Sequence, residues 1–274
     1  MKKYIYIILA MVMTVACAQK PLVIVQIADA QLGFDAAVKG SVPGAEYVND
    51  LTFEVECLKA TVAKVNELKP DMVVFTGDQV HLPYDAEQWE AFIQGIADLD
   101  SSIELYHLPG NHDHILKDGT ADPQDFINRF GSDRFAVKKG NVNVVGINTS
   151  LIYFNSALEQ DQMVWLEETL EATEESDVTL IFGHHPFFCE NIEEEDSHVQ
   201  ITKTKRLQYF EYFKSKGVDA VFAGHLHDNS VGEYEGIPML TTTSSGYQLG
   251  EGPASIRVIT ITGDQVSVEL VPIL

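Results

Sequence analysis

Leu22-Val23-Ile24-Val25-Gln26-Ile27-Ala28 runs directly into Asp29-Ala30-Gln31. An apolar run of this length, broken only by Gln26, reads as a buried strand that ends at the first carboxylate. The same signature recurs four times. Met72–Thr76 leads into Gly77-Asp78, Val178–Phe182 into Gly183-His184-His185-Pro186, and Ala220–Ala223 into Gly224-His225-Leu226-His227. Residues 103–108, apolar apart from Glu104 and His107, lead into Gly110-Asn111-His112-Asp113. Ligands of an α/β sheet bind at the carboxyl ends of its strands. Five such ends carrying Asp, Asn and His predict one convergent metal site.

The segments between these runs set the layers. Residues 53–68 place Val55, Leu58, Val62 and Val65 at helical spacing and stop before Pro70, and a second helix is expected near 86–99. The resulting β-α-β-α-β opening implies a parallel sheet. Residues after Asp29, with Gly33, Gly40, Pro43 and Gly44, read as a long polar loop. Farther on, 142–147 is a strand, 161–172 a helix and 203–216 another helix. The tail changes character, because 231–234, 238–242, 255–261 and 266–271 are short strands separated by Gly-containing turns. The expected fold class is α/β (α+β by some schemes), with two packed mixed β-sheets flanked by helices.

Lys2 and Lys3, an apolar core at 5–15 and the small-residue exit Ala16-Cys17-Ala18 have the anatomy of a secretory leader. It is too short to remain as a membrane-spanning helix. Two endings compete: cleavage after Ala18, releasing a soluble chain, or cleavage before Cys17, leaving a possible lipid anchor on that cysteine. Thr14 matches lipoprotein signals poorly. Both endings imply export, to the periplasm or to an outer-membrane-associated lipoprotein. The remainder, 19–274, shows no linker or repeat and is expected to form one domain.

With 18 basic and 41 acidic side chains, the formal net charge is −23. Nucleic-acid binding relies on basic side chains that displace counterions, so no nucleic-acid partner is expected. The acidity, including Glu193-Glu194-Glu195-Asp196, reads as a solvated surface. Cys57 and Cys189 lack C-x-x-C spacing and read as two buried free thiols rather than zinc ligands or a redox pair.

Two divalent cations ~3.5–4 Å apart need about seven or eight ligand atoms and a bridging carboxylate. Asp78, central in the motif order, is the expected bridge. Neutral imidazoles of His184, His225 and His227 suit Zn, Fe or Mn, while Asp29 and the Asn111 amide oxygen supply hard donors. Such a pair lowers the pKa of bound water and provides hydroxide as a nucleophile. His112, beside Asn111, should point past the metals and serve as general acid to a departing alkoxide.

These residues together resemble the calcineurin-like metallophosphoesterase family, whose pattern is D-x-H, G-D-x-x-[DN], G-N-H-[DE], x-H-x-P and G-H-x-H. The resemblance runs from Asp29 to His227 and implies a double β-sandwich with a dinuclear centre. It implies Asp29 and His227 on the first metal, Asp78 between both, Asn111, His184 and His225 on the second, and His112 as the catalytic histidine. Two positions depart from the family pattern. Gln31 replaces the usual histidine, similar to a D-x-Q subgroup of calcineurin-like phosphoesterase domain proteins, one of which acts on phosphoproteins. As a neutral amide it should bind metal more weakly and tolerate Mn or Mg better. His81 stands where protein serine/threonine phosphatases carry an aspartate that orients the catalytic histidine. His81 and Asp113 are therefore candidates for supporting the turn, His112 or substrate.

His107, His114, His185 and His198 read as packed or surface histidines, and Gln162, Trp165 and Leu166 as a helix face on the sheet. The expected activity is metal-dependent hydrolysis of phosphomonoesters, small or on a phosphoprotein. The alternatives are a cyclic-nucleotide or other small phosphodiesterase, and a catalytically weak metal-binding protein.

Overall fold

The computed structural model describes residues 20–117, 119–173 and 177–273. The expected leader at 1–18, with Cys17, lies outside the described residues. The first half contains β1 (Leu22–Ile27), α1 (Phe34–Gly40), α2 (Thr52–Leu68), β2 (Met72–Thr76), α3 (Ala86–Ile96) and β3 (Glu104–Leu108). Then come β4 (Ile115–Lys117), β5 (Thr120–Asp122), α4 (Gln124–Phe130), β6 (Phe135–Lys139), β7 (Val142–Gly146) and α5 (Thr149–Tyr153). The second half adds α6 (Glu159–Glu171), β8 (Val178–Phe182), α7 (Lys203–Ser215) and β9 (Ala220–Ala223). It closes with β10 (Ser230–Tyr234), β11 (Ile237–Thr241), β12 (Ser255–Thr262) and β13 (Gln265–Pro272).

Two mixed sheets form, in the orders β13-β12-β1-β2-β3 and β10-β11-β9-β8-β7-β6, while β4 and β5 pair only with each other. β1, β2 and β3 are parallel, as are β7, β8, β9 and β11. Successive strand side chains face opposite ways, and the burial follows that alternation. Ile24, Val74, Leu180 and Phe222 form the core between the sheets. Val25, Val73 and Phe75 face the other way, against Leu58 of α2 and Phe92 of α3. Ile181 and Val221 pack outward on Leu166 of α6 and Phe210 of α7. The layering is helix, sheet, sheet, helix.

Gln26, the polar residue in an otherwise apolar strand, belongs to the inner face. Its amide donates to Thr76 Oγ1 (3.0 Å) and to the Ala223 carbonyl (2.8 Å), and its Oε1 accepts from Thr242 (2.6 Å). Arg257 donates to that same Thr242 hydroxyl and to the Thr241 carbonyl. A buried polar group costs little only when paired, so this fully bonded set bolts the sheets together in one register.

Three expectations change. The loop after Asp29 contains the helix α1, whose Asp35 amide donates to the buried Glu54 of α2. Cys189 is only partly buried, although both cysteines are free. The acidic run 193–196 is not wholly a solvated face. The Glu194 carboxylate accepts the amides of Cys189, Glu190 and Asn191, and the buried Arg206 guanidinium donates to the carbonyls of Ile192, Glu194 and Ile201.

Candidate metal centre

All five motifs fall where the sequence places them, at the carboxyl ends of β1, β2, β3, β8 and β9. The chain has to bend sharply there to aim side chains back over the sheet edges. Asp29 (φ 50°), Gln31 (φ 37°), Asp78 (φ 50°), His225 (φ 76°) and His227 (φ 51°) are all in the left-handed region. That conformation is costly for residues with a Cβ and persists where surrounding structure enforces it. The enforcing bonds are visible: Asp29 N–H donates to the Gly77 carbonyl, Gln31 N–H to the Asp78 carbonyl, and Gly224 N–H to the His184 carbonyl. Space is equally restrictive. A Cβ on Gly110 would lie 2.0 Å from Asp78 Oδ1, and one on Gly77 2.5 Å from His184 Nδ1.

The donor atoms converge on His184. Its Nε2 lies 3.0 Å from Asn111 Oδ1, 3.1 Å from His225 Nδ1 and 3.3 Å from Asp78 Oδ2. Its Nδ1 faces the Thr76 carbonyl at 2.9 Å, and since a carbonyl only accepts, Nδ1 carries the hydrogen. In neutral imidazole Nε2 then presents a lone pair to two oxygen acceptors. Such a cluster needs a cation among its lone pairs, either a proton or a metal. Asp29 Oδ1 stands 3.6 Å from His227 Nε2, and His227 Nδ1 donates to the Tyr247 carbonyl (2.6 Å), again leaving Nε2 for the centre. Gln31 is buried, and its Oε1 has no hydrogen-bond partner among the described residues. An amide oxygen left in that condition fits a donor held for a cation. The donor set is entirely carboxylate, amide oxygen and imidazole, which suits borderline divalent metals.

The electrostatics agree. Burial alone would raise the Asp78 carboxyl, but the charges of His184 and His112 and the His184 hydrogen bond outweigh it and keep Asp78 ionised. Against the opposing effect of burial, Asp78 holds His184 up at about 9. Burial and the His184 charge push His225 down to about 3, and burial with the His225 and His184 charges pushes His185 well below the usual histidine range. Both shifts favour neutral imidazoles at His225 and His185, the form that ligation requires.

His112 is placed differently. Its backbone N–H donates to Asp78 Oδ1 (2.8 Å), tying it to the centre. Its Nδ1 donates to the His81 carbonyl (2.8 Å), and its ring stacks on that of His81 at 4.8 Å. Nε2 is the nitrogen left for chemistry. The orienting role is filled by the His81 main chain and ring rather than by a carboxylate. Asp113 supports the turn: its oxygens accept the amides of Gln79 (2.9 Å), Val80 (3.3 Å) and Gly110 (2.8 Å).

His185 is buried and stacks on Tyr153 at 4.2 Å, yet its ring nitrogen lies within 4.8 Å of those of His184 and His225. It belongs to the edge of the centre. His114 bonds the Asp122 carbonyl and Asn148, and Gln162 holds the backbone of Asn148, so both are packed as expected. Thr149 was not apparent in the sequence. Its hydroxyl accepts the amides of both His184 and His185 (2.9 and 2.8 Å), and nothing in a Thr-Ser pair after a strand signals that.

The model of the calcineurin-like phosphoesterase family matches residues 22–229. Among curated proteins, the chain is 31% identical over 224 residues to the serine/threonine-protein phosphatase CPPED1 of Mus musculus, covering 78% of this chain and 72% of the mouse protein. It is 27% identical over 194 residues to the probable glycerophosphodiester phosphodiesterase GpdQ of Arcobacter nitrofigilis, covering 69% and 68% respectively. The fold matches that of purple acid phosphatase PPD1 from yellow lupin with a TM-score of 0.68 at 14% identity, over 92% of this chain. The chain spans about half (52%) of the lupin protein. This chain belongs to the calcineurin-like phosphoesterase family and is a metal-dependent phosphoric ester hydrolase.

Proposed function

We propose that this phosphoesterase hydrolyses phosphomonoesters, using a pair of divalent cations held between the two sheets. Asp29, Gln31, Asp78 and His227 would hold one cation, and Asp78, Asn111, His184 and His225 the other, with Asp78 shared. Bound there, such a pair supplies an activated water near neutral pH and neutralises charge growing on the phosphoryl oxygens. The neutral amide at Gln31 makes the first position the weaker one and favours Mn, with Fe or Zn at the imidazole-rich second. Asp113 keeps the turn that carries Asn111 and His112 rigid. His112, oriented through Nδ1, gives its Nε2 proton to the departing oxygen. Export, by a cleaved leader or a lipid-bearing Cys17, is part of the same proposal and rests on residues 2–18.

One observation carries this reading above a merely metal-binding one. The His112 ring is locked by the His81 carbonyl at 2.8 Å while its amide reaches Asp78, so a proton donor is stationed beside the donor cluster without being part of it. A storage or scaffold site has no use for that. The test is an assay of metal-reconstituted protein on p-nitrophenyl phosphate and its bis ester. Faster turnover of the monoester is expected. Faster turnover of the diester would favour the phosphodiesterase alternative, to which the Arcobacter relative's name points. No turnover of either, with both metals bound, would leave the binding role.

A further inference from the structure

A cavity of about 440 Å³ is lined at one end by Asn111, His112, His81 and His114, and its remaining walls are apolar. Leu82, Pro83 and Tyr84 form one side, Ile115 and Leu116 of β4 another, and Phe154, just after α5, a third. Among the described residues that line it there is no lysine, arginine, aspartate or glutamate. Phe154 is held from behind by edge-on contact with Tyr153 (5.0 Å) and His185 (6.2 Å). Tyr84 and Leu116 are 74% and 49% exposed, so both are open to a ligand entering the cavity.

The position of this cavity follows from the His112 geometry. With Nδ1 bound to the His81 carbonyl and one ring face stacked on His81, a departing oxygen has to meet the remaining nitrogen. His112 is itself a wall of this cavity, so the cavity adjoins the place where such an oxygen would be met. We propose that the cavity is the leaving-group subsite and that it selects uncharged aryl alcohols, so that the preferred substrates are phenolic phosphomonoesters.

This inference rests on the phosphomonoesterase reading above. Apolar walls gain from burying an aromatic ring, and the rings of Tyr84 and Phe154 offer it face or edge packing. A leaving group with charge of its own, such as the nucleotide released from a nucleoside diphosphate, would lose water against the apolar walls, where no lysine or arginine stands. In the reaction, the oxygen of water bonds to phosphorus and the bond from phosphorus to the phenolic oxygen breaks. That oxygen takes the His112 proton, while the proton of the attacking water passes to solvent. Protonation helps even a phenol, because a tyrosyl oxygen has a pKa near 10.

The chemistry is shared by free aryl phosphates and by the tyrosyl phosphate of a protein. Calorimetry on the Mn-loaded protein should compare methylphosphonate with benzylphosphonate. The benzyl compound is expected to bind about tenfold more tightly. Tyr84→Ala and Leu116→Glu, both at exposed positions that leave the fold intact, should each remove most of that preference. In hydrolysis, a phosphotyrosyl peptide should exceed a phosphoseryl peptide of the same sequence by a similar factor in kcat/KM. Preference for the peptide over phenyl phosphate would point to protein substrates, and the reverse to small molecules; both support the subsite. Equal binding of the two phosphonates, or faster hydrolysis of the phosphoseryl peptide, overturns the subsite while methylphosphonate binding keeps the phosphoesterase reading. Failure of methylphosphonate to bind, with no ester hydrolysed, removes both.

Discussion

The first sheet brings oxygen to the metal centre and the second brings nitrogen. β1, β2 and β3 end at Asp29, Asp78 and Asn111, whereas β8 ends at His184 and β9 at His225 and His227. Construction is otherwise similar, with parallel strands, a left-handed turn and helices packed on the outer face in both halves. The chemical asymmetry has a physical reading. Two buried carboxylates on one sheet edge repel each other and demand positive charge, which on the second sheet His184 is held ready to carry while His225 is kept neutral. Neither edge alone holds a cation pair. Gln26, Thr242 and Arg257, with the apolar core around them, fix one sheet against the other.

The largest effect should come from removing the shared oxygen donor. Asp78→Ala is expected to bring hydrolysis to background and release at least one cation per chain, because it loses charge and bridge together. His225→Ala, on the nitrogen side, should also abolish turnover but lower metal content at the second position only. Metal analysis by mass spectrometry after desalting separates the two. Full activity of Asp78→Ala at controlled metal content would sink the two-metal mechanism, and equal metal loss in both variants would erase the distinction between the halves.

His112 stands outside both donor sets, so its removal should leave metal content untouched. His112→Ala is expected to slow turnover by ~10²–10⁴-fold, the range for loss of a general acid. Across a series of esters the loss should shrink as the leaving group becomes more acidic. A loss that stays constant along the series would mean that His112 positions phosphate instead.

The smallest effect tests the exception within the oxygen half. Gln31→His places an imidazole on the first sheet and should strengthen the first metal position and shift it towards Zn or Fe. Wild type should show one tightly held cation and one that exchanges, with activity rising on addition of Mn. Two equally tight sites by titration, unaffected by the substitution, would make Gln31 a bystander.

The strand ends were legible because each couples an apolar run to an abrupt change of residue type, and the motif spacing picked out His112 and His184 from their neighbours. The helix α1 was not, since seven residues between Gly33 and Ser41 are too few to display periodicity. β4 and β5 escaped for a related reason: they pair only with each other and bury little. The carbonyls of Thr76, His81 and Tyr247, which fix three histidine rings, are invisible in principle. Every residue type has a carbonyl, and only the fold decides where it points. His185 shows the limit from the other side: the motif separated it from His184, but only the packing on Tyr153 places it at the edge of the centre.

Gly110 is where the two kinds of constraint meet. Its backbone is extended and would accept many residues, yet the Asp78 carboxylate occupies the place of any Cβ. For a geneticist this is a silent position in reverse. Any missense change there, however small the new side chain, strikes the carboxylate and the backbone nitrogen of Asp78 directly. Alleles altered at Gly110 should thus lose activity even when the substitution is as conservative as alanine.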